Sequence, residues 1–281
     1  MPEPNVDNPN TLQKQVIDYA DVIDHETNWH KKVIGVATAQ LNNYLGRRSS
    51  PPELEIKYDE GPKAESGKKT VVLRPYKWIR NEKLKIPAGV SIHEVAHCLE
   101  DDFLGLDPER DTDTACYFGE GFAEFISIDD PGKIRDALHI DREIGSYERI
   151  REEVNDHTSF GKMLTGYMSL DKLFSVRQPE LEPDDLPEYI KDKTLVPYWI
   201  GSALTRFIVE KGGVGALRKI MRQVQVRKNR AHGWSDAESA RPEELQSEEI
   251  RVRLLLKQAI QDQFSDLDAF EKEWRETVLQ S

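Results

Sequence analysis

The stretch Val90–Glu100, VSIHEVAHCLE, constrains this 281-residue chain more than any other. It holds His93, Glu94 and His97 as H-E-x-x-H, in an apolar run with no proline or glycine after Gly89. That composition predicts a helix, on which residues four apart share a face about 40° from one another. Two imidazole nitrogens can then point at one ion. Glu94, beside the first of them, can reach a water on that ion without binding the metal itself. Imidazole and carboxylate donors with one position left open suit catalytic zinc. Because H-E-x-x-H also arises by chance, the reading requires a third ligand.

Phe118–Ser127, FGEGFAEFIS, offers one. Glu120 follows His97 after 22 intervening residues, enough for a loop and a return into a second helix. Glu120 and Glu124 share a face of that helix. With Glu120 on the metal, Glu124 is placed to accept a hydrogen bond from the far ring nitrogen of a ligand histidine, fixing its tautomer. The alternative is two solvated glutamates on an amphipathic helix. Phe122, Ala123, Phe125 and Ile126 argue against it, since unpaired carboxylates are costly in apolar company.

HEVAH followed by GEGFAEFIS resembles the glutamate-type zinc metallopeptidases, or gluzincins, of the peptidase MA-like superfamily. The E-G-F-A string is similar to that around the zinc-binding glutamate of the aminopeptidase-N and leukotriene-A4-hydrolase family. Downstream, VPYWIGSALTRFIVE (Val196–Glu210) resembles the Y-x-x-G helix start that carries this family's transition-state tyrosine, here Tyr198. FEKEW (Phe270–Trp274) is like the closing helix of many such domains, so the resemblance runs from about Leu54 to Trp274. It implies an α+β, zincin-like fold: a small twisted sheet above the H-E-x-x-H helix, followed by a mainly helical lobe. Residues 1–105 would form the N-terminal lobe and residues 106–281 the helical lobe with the third ligand and Tyr198, together one catalytic unit.

A formal charge of −12 favours solubility and disfavours nucleic-acid or acidic-membrane partners. No apolar run is long enough to span a bilayer, and MPEPNVDNPN lacks the n- and h-regions of a secretion signal, so the expected compartment is cytoplasmic. Two cysteines make no disulfide framework. Cys98 and Cys116 read as small buried hydrophobes that could lie close, and neither is expected on the zinc.

Along the chain, Leu12 to Ile23 and Trp29 to Leu45 keep a helical rhythm with a weak point near His25–Asn28. His25 and His30, five apart, sit about 140° from each other and cannot clamp one ion, so packing or capping explains that pair better. Leu54–Tyr58 and Thr70–Arg74 are strand candidates separated by the polar DEGPKAESGKK. In gluzincins an edge strand pairs with extended substrate. Thr70–Arg74 is the candidate for that edge, with an interior strand as the alternative. Asp101–Thr114 is acid-rich but lacks the EF-hand order and reads as a solvated loop. Helical pieces follow around Gly161 and Gly166, with His157 and Tyr167 as lesser candidates for the transition-state donor. Gln178–Asp192 reads as a surface loop and Gly212-Gly213 as a helix end. The basic run Arg218–Arg230 reads as an amphipathic face, Gly233–Glu248 as a polar link, and Glu249–Phe264 and Leu267–Leu279 as helices.

The expected activity is peptide-bond hydrolysis by a zinc-activated water. His93, His97 and Glu120 would hold one zinc ion, Glu94 would act as general base, and Tyr198 would donate to the oxyanion. The aminopeptidases this motif resembles also carry a G-x-M-E-N stretch that holds the substrate's free amine. No such stretch occurs here, which favours an endopeptidase acting on polypeptide substrate. An exopeptidase of the same fold stays open, as does a catalytically silent, zinc-stabilised interaction scaffold.

Overall fold

Val33, Ala37 and Leu41, each four residues on from the last, are fully buried along one side of α1 (Pro9–Leu45). They form one wall of the core in a computed structural model that describes residues 9–57, 64–67, 69–74, 86–105, 116–156, 159–173, 196–231 and 254–280. The expected weak point at His25–Asn28 is absent: α1 runs unbroken. Glu26, within it, and His30, just beyond, face inward, while His25 and Asn28 are exposed. Glu26 accepts from the Ile86 N–H at 3.3 Å, and His30 Nδ1 lies 2.8 Å from Ser91 Oγ. What reads as an interruption is the fastening of α1 to the start of the next helix.

The sheet has three strands, β1 (Glu53–Ile56), β2 (Ala64–Gly67) and β3 (Thr70–Leu73), in the order β1-β3-β2. β1 runs parallel to β3 and β2 antiparallel to it. Two expectations are corrected here. β2 lies inside the stretch read as a polar separator, and Thr70–Arg74 belongs to the middle strand rather than an edge. Val71, Val72 and Leu73 are all buried, as a strand covered on both faces and paired on both sides requires. The edges are β1 and β2.

α2 (Ala88–Leu104) carries H-E-x-x-H and packs against α1, β2, β3 and α3. Ile92, Val95, Ala96, Leu99 and Phe103 are buried, and the Cys98 thiol donates to the Thr70 carbonyl at 3.6 Å. The helix stops at Gly105, whose φ of 70° is one that a residue without Cβ adopts freely.

The chain returns in α3 (Cys116–Glu124), which passes into a π-helical turn at Phe125–Asp129. Phe122 of α3 stacks on Phe103 of α2, ring centroids 5.4 Å apart. Then follow α4 (Ile134–Leu138), α5 (Ser146–Asn155), α6 (Ser159–Tyr167) and α7 (Leu170–Leu173). Of the helical pieces expected around Gly161 and Gly166, both glycines lie inside α6, with Gly161 against the backbone of Glu153 in α5. The long α8 (Val196–Ala231) bends at Gly213, where φ 74° and ψ 172° interrupt the helix at the expected glycine pair. Ile220, Met221 and Val224 are buried beneath the basic run, with Lys219 and Arg222 outside.

α9 (254–264) and α10 (Leu267–Leu279) close the fold. Phe270 and Trp274 of α10, four apart, are fully buried, and Phe270 contacts Phe207 and Phe264. A single apolar cluster runs from Val33 to Val278 and draws on residues from both sides of position 105. No helix among the described residues is long and apolar enough to cross a membrane. Asp101–Leu104, expected as the start of a solvated loop, instead completes α2 with Phe103 and Leu104 buried; the rest of that segment after Gly105, His157, Gln178–Asp192 and the Gly233–Glu248 link lie outside the described residues.

Candidate metal centre

His93 and His97 lie one turn apart on α2, and Glu120 reaches them from α3. His93 Nε2 is 3.1 Å from His97 Nε2 and 3.1 Å from Glu120 Oε2, while His97 Nε2 is 3.3 Å from that same oxygen. Three donor atoms thus form a nearly equilateral triangle. A tetrahedral zinc held at about 2.0–2.1 Å keeps its ligand atoms about 3.3 Å apart, so the donor set fits this ion in both chemistry and spacing. Among the described residues these are the ones whose ligand atoms converge in this way.

The electrostatics follow from crowding two imidazoles and a carboxylate together. Burial pulls the His93 pKa down, but hydrogen bonds to Glu120 and Glu124 more than reverse this and raise it to about 9. His97 is raised to about 10, again against burial, by Glu100 and Glu120. Burial acts to raise the Glu120 carboxyl, yet the two histidines hold it far below the usual carboxylate range. The site binds protons firmly where a divalent cation can replace them.

Each histidine has a carboxylate behind it. Glu124 Oε2 lies 3.3 Å from His93 Nδ1 and accepts from Ser127 Oγ, and its Oε1 is 3.9 Å from Arg149 Nη1. Arg149 is itself fixed by Glu143 at 2.7 Å and by the Ile144 carbonyl at 2.9 Å. His97 Nδ1 faces Glu100 Oε2 at 3.8 Å.

Glu94 is buried on α2, directly after the first histidine. Burial first, and then the Glu94 carboxylate, push the Cys98 thiol up to about 12. The Cys116 side chain lies outside those described. Tyr198, near the start of α8, stacks on the His93 ring with centroids 5.8 Å apart and an interplanar angle of 26°. α8 comes this close because Gly121 of α3 lies on the backbone of Gly201: a Cβ at 121 would sit 2.6 Å from the Gly201 carbonyl carbon. Tyr167, on α6, packs against the core.

Comparison with protein-family models, with curated proteins and with solved structures finds no match for this chain.

The structure brings His93, His97, Glu120, Glu124 and Tyr198 together, with Glu94 on the same helix as the two histidines. Sequence reasoning missed two further residues. Glu100 is three residues after His97 and seven after His93, so it shares their face of α2; that spacing was the available signal. Arg149 comes from α5 with no local motif, and only the tertiary fold places it behind Glu124.

Proposed function

We propose that this chain is a zinc-dependent metallopeptidase of zincin-like α+β architecture, hydrolysing internal peptide bonds with Glu94 as general base. The observation that carries this reading is the 3.1–3.3 Å triangle of His93 Nε2, His97 Nε2 and Glu120 Oε2, with Tyr198 stacked against it. When bound there, zinc supplies Lewis acidity that polarises a peptide carbonyl and acidifies water.

The rest falls to side chains. Glu94 takes a proton from the attacking water onto its carboxylate and returns it to the leaving amine. The Tyr198 hydroxyl donates to the developing oxyanion, an interaction made mainly in the transition state. Glu124, held by Arg149 and Ser127, keeps the His93 ring turned so that Nε2 faces the ion.

The lack of a G-x-M-E-N stretch supports internal cleavage over removal of N-terminal residues. Incubation of a mixed peptide library with the zinc-loaded chain, with and without a chelator, tests this reading. Internal cuts that the chelator abolishes are expected. Stepwise loss from one end would indicate an exopeptidase instead. Zinc uptake with no cleavage of any peptide would leave a scaffold and overturn the hydrolase reading.

A further inference from the structure

The two carboxylates behind the histidines are not equivalent. Glu124 is fully engaged: it meets His93, Ser127 and Arg149. Glu100 is only 5 % exposed, yet among the described residues nothing donates to its Oε1. Its one ionic partner among them is His97, at 3.8 Å from Oε2. Its neighbours on α2 at the same depth are apolar, Ala96, Leu99, Phe103 and Leu104. A carboxylate buried with one oxygen unsatisfied costs stability, and a purely architectural role at this position would be filled better by a residue such as leucine or methionine. Gly119, immediately before the third ligand, faces this carboxylate: a Cβ there would meet Glu100 Oε2 at 3.5 Å and His97 Cε1 at 3.8 Å. Glu100 is thus enclosed between the two ligand-bearing helices and aimed at the second histidine.

We propose that Glu100 is a positioning residue for His97: its carboxylate takes the Nδ1 proton as a hydrogen bond and so presents Nε2 to the metal. The inference rests on the metal-centre reading above and deepens it, because both ligand histidines are then oriented by a carboxylate of this chain. Glu124 does so from the third-ligand helix and Glu100 from the histidines' own helix. A metal on Nε2 leaves Nδ1 as the ring's only proton site and makes that proton a better donor, able to draw in the Glu100 Oε2 that lies 3.8 Å from it here.

Zinc affinity of the full chain, measured by competition with a chelating dye, tests this for wild type, E100Q and E100L. The visible spectrum of the cobalt(II)-loaded forms is recorded alongside. Loss of an orienting partner of this kind costs about 10- to 100-fold in metal affinity. E100L is therefore expected to bind zinc that much more weakly and to show a shifted cobalt spectrum. E100Q, isosteric and still presenting an acceptor oxygen, should stay close to wild type in both. Equal affinities and superimposable spectra for wild type and E100L overturn the proposal, as does E100Q binding as weakly as E100L. Should E100L fail to fold, E100M is read in its place. A wild-type chain that takes up no zinc sinks the metal-centre reading itself, whereas a wild type that binds while E100L binds equally well sinks only this inference.

Discussion

Gly121 on α3 and Gly201 on α8 touch backbone to backbone, and that contact sets the distance between the third ligand and Tyr198. Glu120 immediately precedes the first glycine, and Tyr198 lies one helical turn before the second. With no side chain at the crossing, two helices approach more closely than the usual 8–10 Å interaxial distance allows. The spacing of E-G and Y-x-x-G is therefore a steric instruction as much as a chemical one.

Alanine at position 121 breaks this contact. Its Cβ has no room against Gly201, so the helices must part, at a cost of about 1–3 kcal/mol as for other overpacked interiors. Because Tyr198 moves with α8, kcat should fall further than zinc affinity does. Thermal unfolding, kcat and a zinc titration of G121A measure all three. Unchanged stability and turnover would show that the crossing is looser than described.

The two proposed chemical residues should fail differently. E94Q is expected to keep zinc while losing at least about 10²-fold in rate, as removal of an acid/base group does. Y198F should lower kcat with KM little changed, since its hydrogen bond is made in the transition state. Steady-state kinetics on one defined peptide separates them. A Y198F variant that only raises KM would make Tyr198 a substrate-binding residue.

Zinc should also be visible in stability. A ligand held by the folded chain alone stabilises it by about 2.7 kcal/mol at a hundredfold excess over Kd. Wild type should melt higher with zinc and lower with a chelator, and E120A should respond to neither. An equal zinc shift in E120A would place the ion elsewhere.

Zinc affinity should rise with pH. The Glu120 carboxylate raises both histidines, so a proton held among these groups has to leave before the ring nitrogens can bind a metal. Raised values make protons the stronger competitor as pH falls. Apparent affinity should climb about tenfold per pH unit for each proton displaced, and level off above those values. A chelator competition across a pH series reads the slope, and a flat profile contradicts the description of the metal-free site.

His30 is the control. It is fully buried, and its Nδ1 meets Ser91 two residues before the first ligand. H30A leaves a cavity and an unmade buried hydrogen bond, costing about 1–3 kcal/mol. Zinc stoichiometry should remain one, measured on protein held well below its melting temperature. Loss of zinc from folded H30A would give this histidine a part in the centre that its geometry does not suggest.

How far the chain could be read beforehand follows from how local each signal is. His93 and His97, and likewise Glu120 and Glu124, are i, i+4 pairs on helices, with Glu94 beside the first, so a few residues of sequence define a face. The sheet was less legible. Ala64–Gly67 has no strand-forming side chains and is held by backbone pairing with β3, which composition does not register. The edge assignment of Thr70–Arg74 failed because being central is a property of neighbours, although the unalternating Val71-Val72-Leu73 was consistent with burial on both faces. Glu26 fell in the apparent weak point at His25–Asn28 because its partner, Ile86, stands 60 positions away. Arg149 gave no hint for the same reason.

The π-helical turn at Phe125–Asp129 has a consequence for how this chain can change. Upstream of it stand Glu120 and Glu124. Downstream, Asp129 accepts from both the N–H and the hydroxyl of Ser146, from Ser202 and from Arg206, tying α5 and α8 to the third-ligand helix. A π turn amounts to one additional residue in an α-helix, and a residue is worth about 100° of rotation. Because the wider turn already takes up that extra residue, deleting one of the five returns the span to α-helix with both of its ends near their present places. Losing Asp129 itself is the costlier change, since it unties α5 and α8 from the helix that carries Glu120.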